Sequence, residues 1–446
     1  MNVSIIGAGY VGLITGTCLS AQGHRVQLVD LDVAKVAAIN AGTPPIHEAG
    51  LPELLRAQVG SGALSATSDL ASAVRASELT LIAVGTPFDG HAIDLTSIRD
   101  AATQIGQALR GQPDYHVVAV KSTVVPGTTD EVVGPILATE SGRQLGRDLG
   151  LGMNPEFLTE GQALADFLRP DRIVLGGCGG RTHEALARLY GAFTQCPILR
   201  TSNKAAEMIK YASNALLATM ISFANEIGNL CSGLGGVDVL EVMQGVHGSN
   251  YLSPFLEDGR RIAAPITSFL MAGCGFGGSC LPKDVKALVS HGEQRGVPMP
   301  LLESVIQINQ EQPRRVLELL NRHFSTLRGV RTAILGLAFK PDTDDLRESP
   351  AFPIIDSLLA EGAVIRAYDP VAGDAARRLL ADKPVRICHG LGEVVENAEA
   401  VVLVTRWDEF RRLPALLEPM SPAPLFVDGR RMLEPTHFRR YEGIGV

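Results

Sequence analysis

The chain has 446 residues, too many for one compact core, so two or three domains are expected. Hydrophobic residues at 46% and charged residues at 20% exclude a disordered chain, and a net charge of −8 removes any general electrostatic reason to bind nucleic acid or an anionic membrane. A local basic pocket for one phosphate ligand stays compatible with that balance.

Seven cysteines are scattered without a CxxC pair, which argues against a disulfide framework and a zinc site, so reduced thiols and no metal are expected. The first residues, MNVSIIGAG, carry no basic leader region, and the apolar run Ala215 to Ala224 is short and broken by Thr219 and Ser222. A cytoplasmic protein is therefore expected.

Val3 to Ile6 reads as a strand that runs into Gly7, Gly9 and Gly12, with a helix from Tyr10 to about Gln22. This is GxGxxG in its proper setting, a strand and tight turn leading to a helix N-terminus that holds a pyrophosphate. Tyr10 and Val11 lie inside the motif. The next strand, Arg25 to Val29, ends at Asp30, where a carboxylate accepts hydrogen bonds from an adenosine ribose and disfavours a 2′-phosphate. The cofactor expected is NAD. Lys35 is read either as a ribose or phosphate partner or, more commonly for such a residue, as a solvated helix lysine.

Further strands at Leu79 to Val84 and Val117 to Val120 end in Thr86 and Thr123. Ligands gather at the carboxyl ends of strands in doubly wound sheets, so both threonines are candidates for the cofactor cleft, although ordinary turn chemistry explains either. Gly150 to Met153 is followed by NPEFLTEG. Asn154 suits an N-cap and Pro155 the first helical position, which puts Glu156 in a first helical turn, as a dipole-stabilising carboxylate or a general base.

A long helix from about Asn203 to Ser232 is apolar almost all round, as a helix buried between domains or subunits must be. Lys210 and Asn214 interrupt it on one face. Either Lys210 pairs with Glu207 on a wet stripe, or the two point into a cleft and donate to an oxygen that acquires negative charge. Val246 to Met271 reads as loop.

The loop leads into GCGFGGSCLPKD, Gly273 to Asp284, where glycines let the backbone approach a ligand. Pro282 suits the start of a helix, so Cys280 falls just ahead of a helix N-terminus, which favours a thiolate. The plain alternative is a small buried cysteine before a turn, with Lys283 and Asp284 as ordinary first-turn residues. A helical stretch from Leu301 to about His323 bridges to a last domain, where strands Thr332 to Leu335, Ala363 to Tyr368, Ala400 to Val404 and Leu425 to Val427 repeat the first design without GxGxxG. Lys340, Arg347, Arg406 and Arg430 are available there for phosphates.

A dinucleotide site needs no cysteine to oxidise an alcohol. An aldehyde becomes a good hydride donor only after a nucleophile adds to it, and a thiolate does this well. The combination points to an alcohol carried through an aldehyde to an acid, with two NAD consumed.

Six motifs, GAGYVG, KSTVVPGT, NPEFLTEG, EMIKYASNALLA, GFGGSCLPKD and GLAFKPDTDDLRESP, resemble the UDP-glucose/GDP-mannose dehydrogenase family across nearly the whole chain. The resemblance implies two Rossmann-like doubly wound parallel-sheet domains joined by a long central helix and a helical dimerisation core. The expected segments are 1–198 for NAD, 199–300 for the core with the cysteine loop, and 301–446 for the linker helix and nucleotide-sugar domain.

The resemblance also implies roles. Cys280 is the nucleophile, forming a thiohemiacetal and then a thioester; Lys210 and Asn214 stabilise the oxyanion; Asp284 holds a water; Glu156 does acid/base work in hydrolysis; Thr123 lies near that water. Thr86, Thr123, Lys283 and Arg347 join the cofactor set. Glu156, Phe157, Leu158, Lys210, Asn214, Phe269, Gly273, Phe276, Gly277, Lys340 and Arg430 form the substrate set.

UDP-glucose is the first substrate implied, with GDP-mannose or TDP-glucose as alternatives, in a homodimer or higher oligomer. One segment departs from the pattern: UDP-glucose members carry a short Arg-Ile-Gly segment where this chain has the longer GVHGSNYLSPFLEDGRRIAAPITSFLMAG, with Arg260 or Arg261 as stand-in. Two rivals stay open. A two-electron hydroxyacid dehydrogenase also places lysine and asparagine four apart on a helix, and an idle NAD-binding protein needs no chemistry.

Overall fold

Short apolar runs bounded by turns build the first sheet: β1 (Asn2–Ile6), β2 (Arg25–Val29), β3 (Leu64–Thr67), β4 (Leu79–Ile82), β5 (His116–Val120), β6 (Leu149–Met153), β7 (Ile173–Gly177) and β8 (Ile198–Thr201). The structure is a computed structural model that describes residues 1–446. It contains two compact units, Met1–Ser213 and Asn214–Val446.

In the first unit the strand order is β3-β2-β1-β4-β5-β6-β7-β8. Chain order reverses between β1 and β4, which opens a ligand crevice at the carboxyl ends of those strands. Both faces of the sheet are covered. Val3, Ile5, Leu28 and Leu81 pack in one layer, and Ile6, Val29, Ile82 and Val118 in the other, so the strands read as continuous apolar runs.

Every neighbouring pair is parallel except β6 and β7, which run antiparallel with Gly152 opposite Gly177. The parallel sheet expected is thus present, with β7 and β8 running against its other strands. The only helix between β6 and β7, Ala163–Leu168, has 6 residues. It is about 9 Å long, too short to carry the chain back along a strand of roughly 16 Å for a parallel crossover.

The second sheet contains β9 (Arg331–Leu335), β10 (Val364–Tyr368), β11 (Val385–Ile387), β12 (Ala400–Leu403), β13 (Leu425–Asp428) and β14 (Tyr441–Gly443). Its order is β11-β10-β9-β12-β13-β14, all parallel. Helices of the central segment share its core: Ala224, Val239, Met243 and Cys274 pack with Ile334, Ile354 and Val402.

The long helix spans Asn203–Leu234, and Leu216, Phe223 and Leu230 on it are 53%, 46% and 59% exposed. In the single chain it is thus not buried all round. The expected stretch Leu301 to His323 is two helices, Pro300–Glu311 and Arg314–Asn321, parted where Pro313 lacks an amide hydrogen.

The 246–271 segment begins inside the helix Val239–His247 and ends in a short turn of helix, Pro265–Phe269. Between them it doubles back on itself, with the Leu256 amide donating to the Arg260 carbonyl at 2.7 Å and the Ile262 amide to that of Pro254 at 3.1 Å. No helix is long and apolar enough to cross a membrane.

Candidate active site

Gly7 has φ +100°, and a Cβ there would meet the Ala83 carbonyl oxygen at 2.6 Å. A Cβ on Gly12 would meet the Gly7 oxygen at 1.9 Å, so helix and turn approach too closely for any side chain. Gly9, by contrast, faces open space. It is the N-cap of the helix Tyr10–Ala21, whose first turn has neither a side-chain cap nor an acidic residue. Those uncapped amides and the open side fit a dinucleotide pyrophosphate.

Tyr10 turns its hydroxyl to the Glu48 carboxylate, whose Oε2 also accepts from the Gly161 amide at 2.8 Å, while Val11 continues the first turn. Asp30 accepts from the Ala8 and Asp32 amides at 2.9 and 3.0 Å and pairs with Lys35 at 3.0 Å. Burial raises its pKa, but the Asp32 amide, Lys35 and the Ala8 amide outweigh that and hold the carboxyl below its usual range. Lys35 is therefore tied to the Asp30 carboxylate itself. The Thr86 hydroxyl donates to the Thr123 carbonyl at 2.8 Å, which fastens the ends of β4 and β5 together.

Glu156 corrects the sequence reading. Residues 154–159 form no helix, and the next one starts at Ala163. Asn154 caps nothing, because its carboxamide bridges strands instead: Nδ2 donates to the Val174 carbonyl at 3.0 Å, and Oδ1 accepts from Lys121 at 3.1 Å and Tyr190 at 2.5 Å. Glu156 is buried, its Oε1 is 3.0 Å from the Lys210 ammonium, and its Oε2 accepts from the Leu158 amide at 2.6 Å. Burial pushes its pKa up, but Lys210, the Leu158 amide and Lys121 together bring it below the usual range. The ring of Phe157 lies under Arg172 at 4.1 Å and Lys210 at 5.5 Å.

Lys210 does not follow the wet-stripe alternative. Glu207 is fully buried and taken up by the amides of Gly127 (2.6 Å) and Thr129 (2.8 Å) and the Thr129 hydroxyl (2.6 Å).

In the second unit, Cys280 is the N-cap of the helix Leu281–Gln294, as its Pro282 implied, with the Ser279 hydroxyl 3.5 Å from its sulfur. Asp284, 1% exposed, is held at 2.6 Å by both the Asn214 amide and the Lys283 ammonium. Lys283 thus serves a carboxylate here. Arg347 binds Asp345 in a fork at 2.8 and 2.7 Å, and its carbonyl accepts the Gly278 amide.

The glycine loop is seated on this unit's own backbone. The Cys274 amide donates to the Gly429 carbonyl at 2.9 Å, and a Cβ on Gly277 would meet the Glu348 oxygen at 2.2 Å. Gly273 lies against Arg430, and its amide donates to the Asn225 side chain at 2.8 Å. Asn309 accepts the Phe276 amide at 2.8 Å and donates to its carbonyl at 3.0 Å.

A cavity of about 250 Å³ follows, walled by Phe269, Met271, Phe276, Gly277 and Leu281 and by the cations Lys340, Arg406 and Arg430. Burial, then the charge of Arg430, lowers the pKa of Arg406. Two neighbouring guanidiniums and an ammonium over an apolar wall suit a phosphorylated ligand with a flat, weakly polar part.

Sequence reasoning missed Lys121, Asn154, Asn225 and Asn309 as site builders, and named Arg406 without selecting it. Asn225 left a signal, since it lies three helical turns beyond Asn214 on the same helix. Lys121 left another, as a lysine directly after an apolar strand.

Three family descriptions match the chain: the NAD binding domain of the UDP-glucose/GDP-mannose dehydrogenase family at residues 1–194, its central domain at 204–311, and its UDP binding domain at 333–435. UDP-glucose 6-dehydrogenase AglM of Haloferax volcanii is 40% identical over all of both chains. GDP-mannose 6-dehydrogenase of Pseudomonas putida is 38% identical, again over all of both. Among solved structures, a UDP-glucose dehydrogenase from the hyperthermophilic archaeon Pyrobaculum islandicum is 37% identical with a TM-score of 0.90, covering 99% of this chain and 97% of that one. With a dinucleotide turn, a cysteine at a helix N-cap and a cationic cavity in the matching segments, the chain belongs to the UDP-glucose/GDP-mannose dehydrogenase family of NAD-dependent nucleotide-sugar oxidoreductases.

Proposed function

We propose that the chain oxidises UDP-glucose at C6 to UDP-glucuronate, consuming two NAD and one water. The observation that carries the reading is Cys280 at a helix N-terminus, adjoining Leu281 on the wall of the cavity that holds Lys340, Arg406 and Arg430. Support for the sugar comes from the matched UDP binding domain and from relatives named for UDP-glucose at 40% identity.

When bound, NAD takes up the hydride that each oxidation releases. The chain's residues do the rest. The C6 hydroxyl first loses its proton to a carboxylate and its C6 hydride, giving the aldehyde. The Cys280 thiolate then adds to the carbonyl carbon, with Lys210 and Asn214 donating to the oxygen that becomes negative. The resulting thiohemiacetal loses the second hydride and becomes a thioester. Water cleaves that thioester, the C–S bond breaks, and the thiolate is restored. Asp284, oriented by Asn214 and Lys283, holds the water, Thr123 assists that water in this reading, and Glu156 takes its proton. Lys340, Arg406 and Arg430 hold the diphosphate, and the glycine loop packs on the sugar.

The test is NADH released per mole of limiting substrate, with UDP-glucose, GDP-mannose and TDP-glucose in separate reactions. Two NADH from UDP-glucose, and no acid from Cys280→Ser, are expected. One NADH, or acid from the serine variant, overturns the covalent route. Two from GDP-mannose alone would keep the route and change the substrate to that of the 38% relative that matches the whole chain.

The protein acts as a homodimer in this reading. The exposed Leu216, Phe223 and Leu230 recur along one helix at spacings of two turns, an apolar stripe that water solvates poorly.

A further inference from the structure

Lys121 ends β5 inside the first unit and is 3% exposed. A lysine in such a place ordinarily finds a carboxylate, because an unpaired buried charge is costly. This one donates to neutral oxygens: Asn154 Oδ1 at 3.1 Å, the Tyr190 hydroxyl at 3.4 Å and the Asn154 carbonyl at 3.5 Å. The charges that act on it are Glu156 and Lys210. Two buried ammonium groups therefore share one buried carboxylate.

The fold does not require that surplus cation. The Asn154 carboxamide already receives the Tyr190 hydroxyl at 2.5 Å and anchors itself to Val174. Its backbone, however, leads straight through Pro155 to Glu156. Whatever fixes Asn154 fixes where the Glu156 carboxylate starts.

We propose that Lys121 is a positioning residue for Glu156, which locks the Asn154–Glu156 turn and keeps the carboxylate ionised for cleavage of the Cys280 thioester. This rests on the reading of Glu156 as the base of that step. Burial supports the assignment by pushing the Lys121 ammonium down to about 8, with Glu156 opposing and Lys210 reinforcing the shift. Lys121 is thus a cation at neutral pH that the cluster holds at a cost.

If hydrolysis alone is impaired, both hydrides leave before the block. Rapid mixing of Lys121→Gln with saturating UDP-glucose and NAD should then give a burst of two NADH per site. Steady turnover should fall about tenfold or more and the KM for UDP-glucose with it, so that kcat/KM and NAD binding stay near wild type. Intact mass of the quenched protein should show the uronyl adduct on Cys280. Lys121→Arg should restore part of the steady rate.

Asn154→Asp keeps the volume but gives Lys121 a carboxylate of its own, and should build up the same adduct. It stands in if Lys121→Gln does not fold. Glu156→Gln is the reference. If it traps adduct and neither Lys121→Gln nor Asn154→Asp does, Lys121 does not act through Glu156. If Glu156→Gln itself accumulates none, the base reading falls, and the proposal with it.

Discussion

Three donors converge on Glu207, yet burial dominates and raises its carboxyl to about 7, with the charge of Asp130 adding to the rise and the Thr129 and Gly127 bonds opposing it. The direction fixes a pH dependence. A carboxyl whose pKa is higher folded than unfolded contributes stability that is fully present below about 4.5 and lost as pH rises through about 7. The wild-type denaturant midpoint should therefore fall between pH 5 and pH 8, and Glu207→Gln should flatten that fall. Equal slopes in the two proteins would show that Glu207 titrates as it does unfolded. At this scale the sequence was legible where the backbone demands a residue type: Gly7 and Gly12 stand where a Cβ would clash, and Pro282 marked the helix start that puts Cys280 at the N-cap. It was misleading at Asn154-Pro155, a good start for a helix by local preference. The Val174 carbonyl as acceptor and Lys121 and Tyr190 as donors take the asparagine side chain instead, and no local pattern announces them.

Elements were legible in proportion to their apolar length. β1, β2, β4, β5, β9 and β12 read as strands because both faces are buried, whereas β8 left little trace, its Leu199 and Arg200 being exposed. Parallel strands were legible from the alternation of strand and helix, whereas the reversal at β7 was not, because the connection length behind it leaves no mark in the periodicity. The long helix shows the converse case. Its apolar circumference predicted burial, and the single chain leaves Leu216, Phe223 and Leu230 uncovered. Charging the stripe with Leu216→Asp and Leu230→Asp should convert the proposed homodimer to monomer in sedimentation velocity. A wild type that sediments as a monomer at micromolar concentration, or an aspartate variant that stays dimeric, would remove the stripe from any interface.

At the scale of the molecule, the family descriptions divide the chain into three segments, and a designer would be tempted to exchange the last one to change the nucleotide accepted. The seat of the glycine loop forbids a junction there. Its Cys274 and Gly278 amides are bonded to carbonyls of Gly429 and Arg347, and Gly277 touches Glu348, so the cysteine loop is shaped by a stretch of chain more than sixty residues downstream. A chimera joined at Ser325 draws the loop from one parent and its mould from the other, and should retain NAD binding while losing turnover on either parent's substrate. One joined at Ser202 inherits loop and mould together and should keep the second parent's substrate. Active chimeras from both junctions would mean that the mould is interchangeable. The cysteine loop and its mould are therefore inherited as one block: what recombination can shuffle is the dinucleotide half, and Cys280 travels with the backbone that shapes its loop.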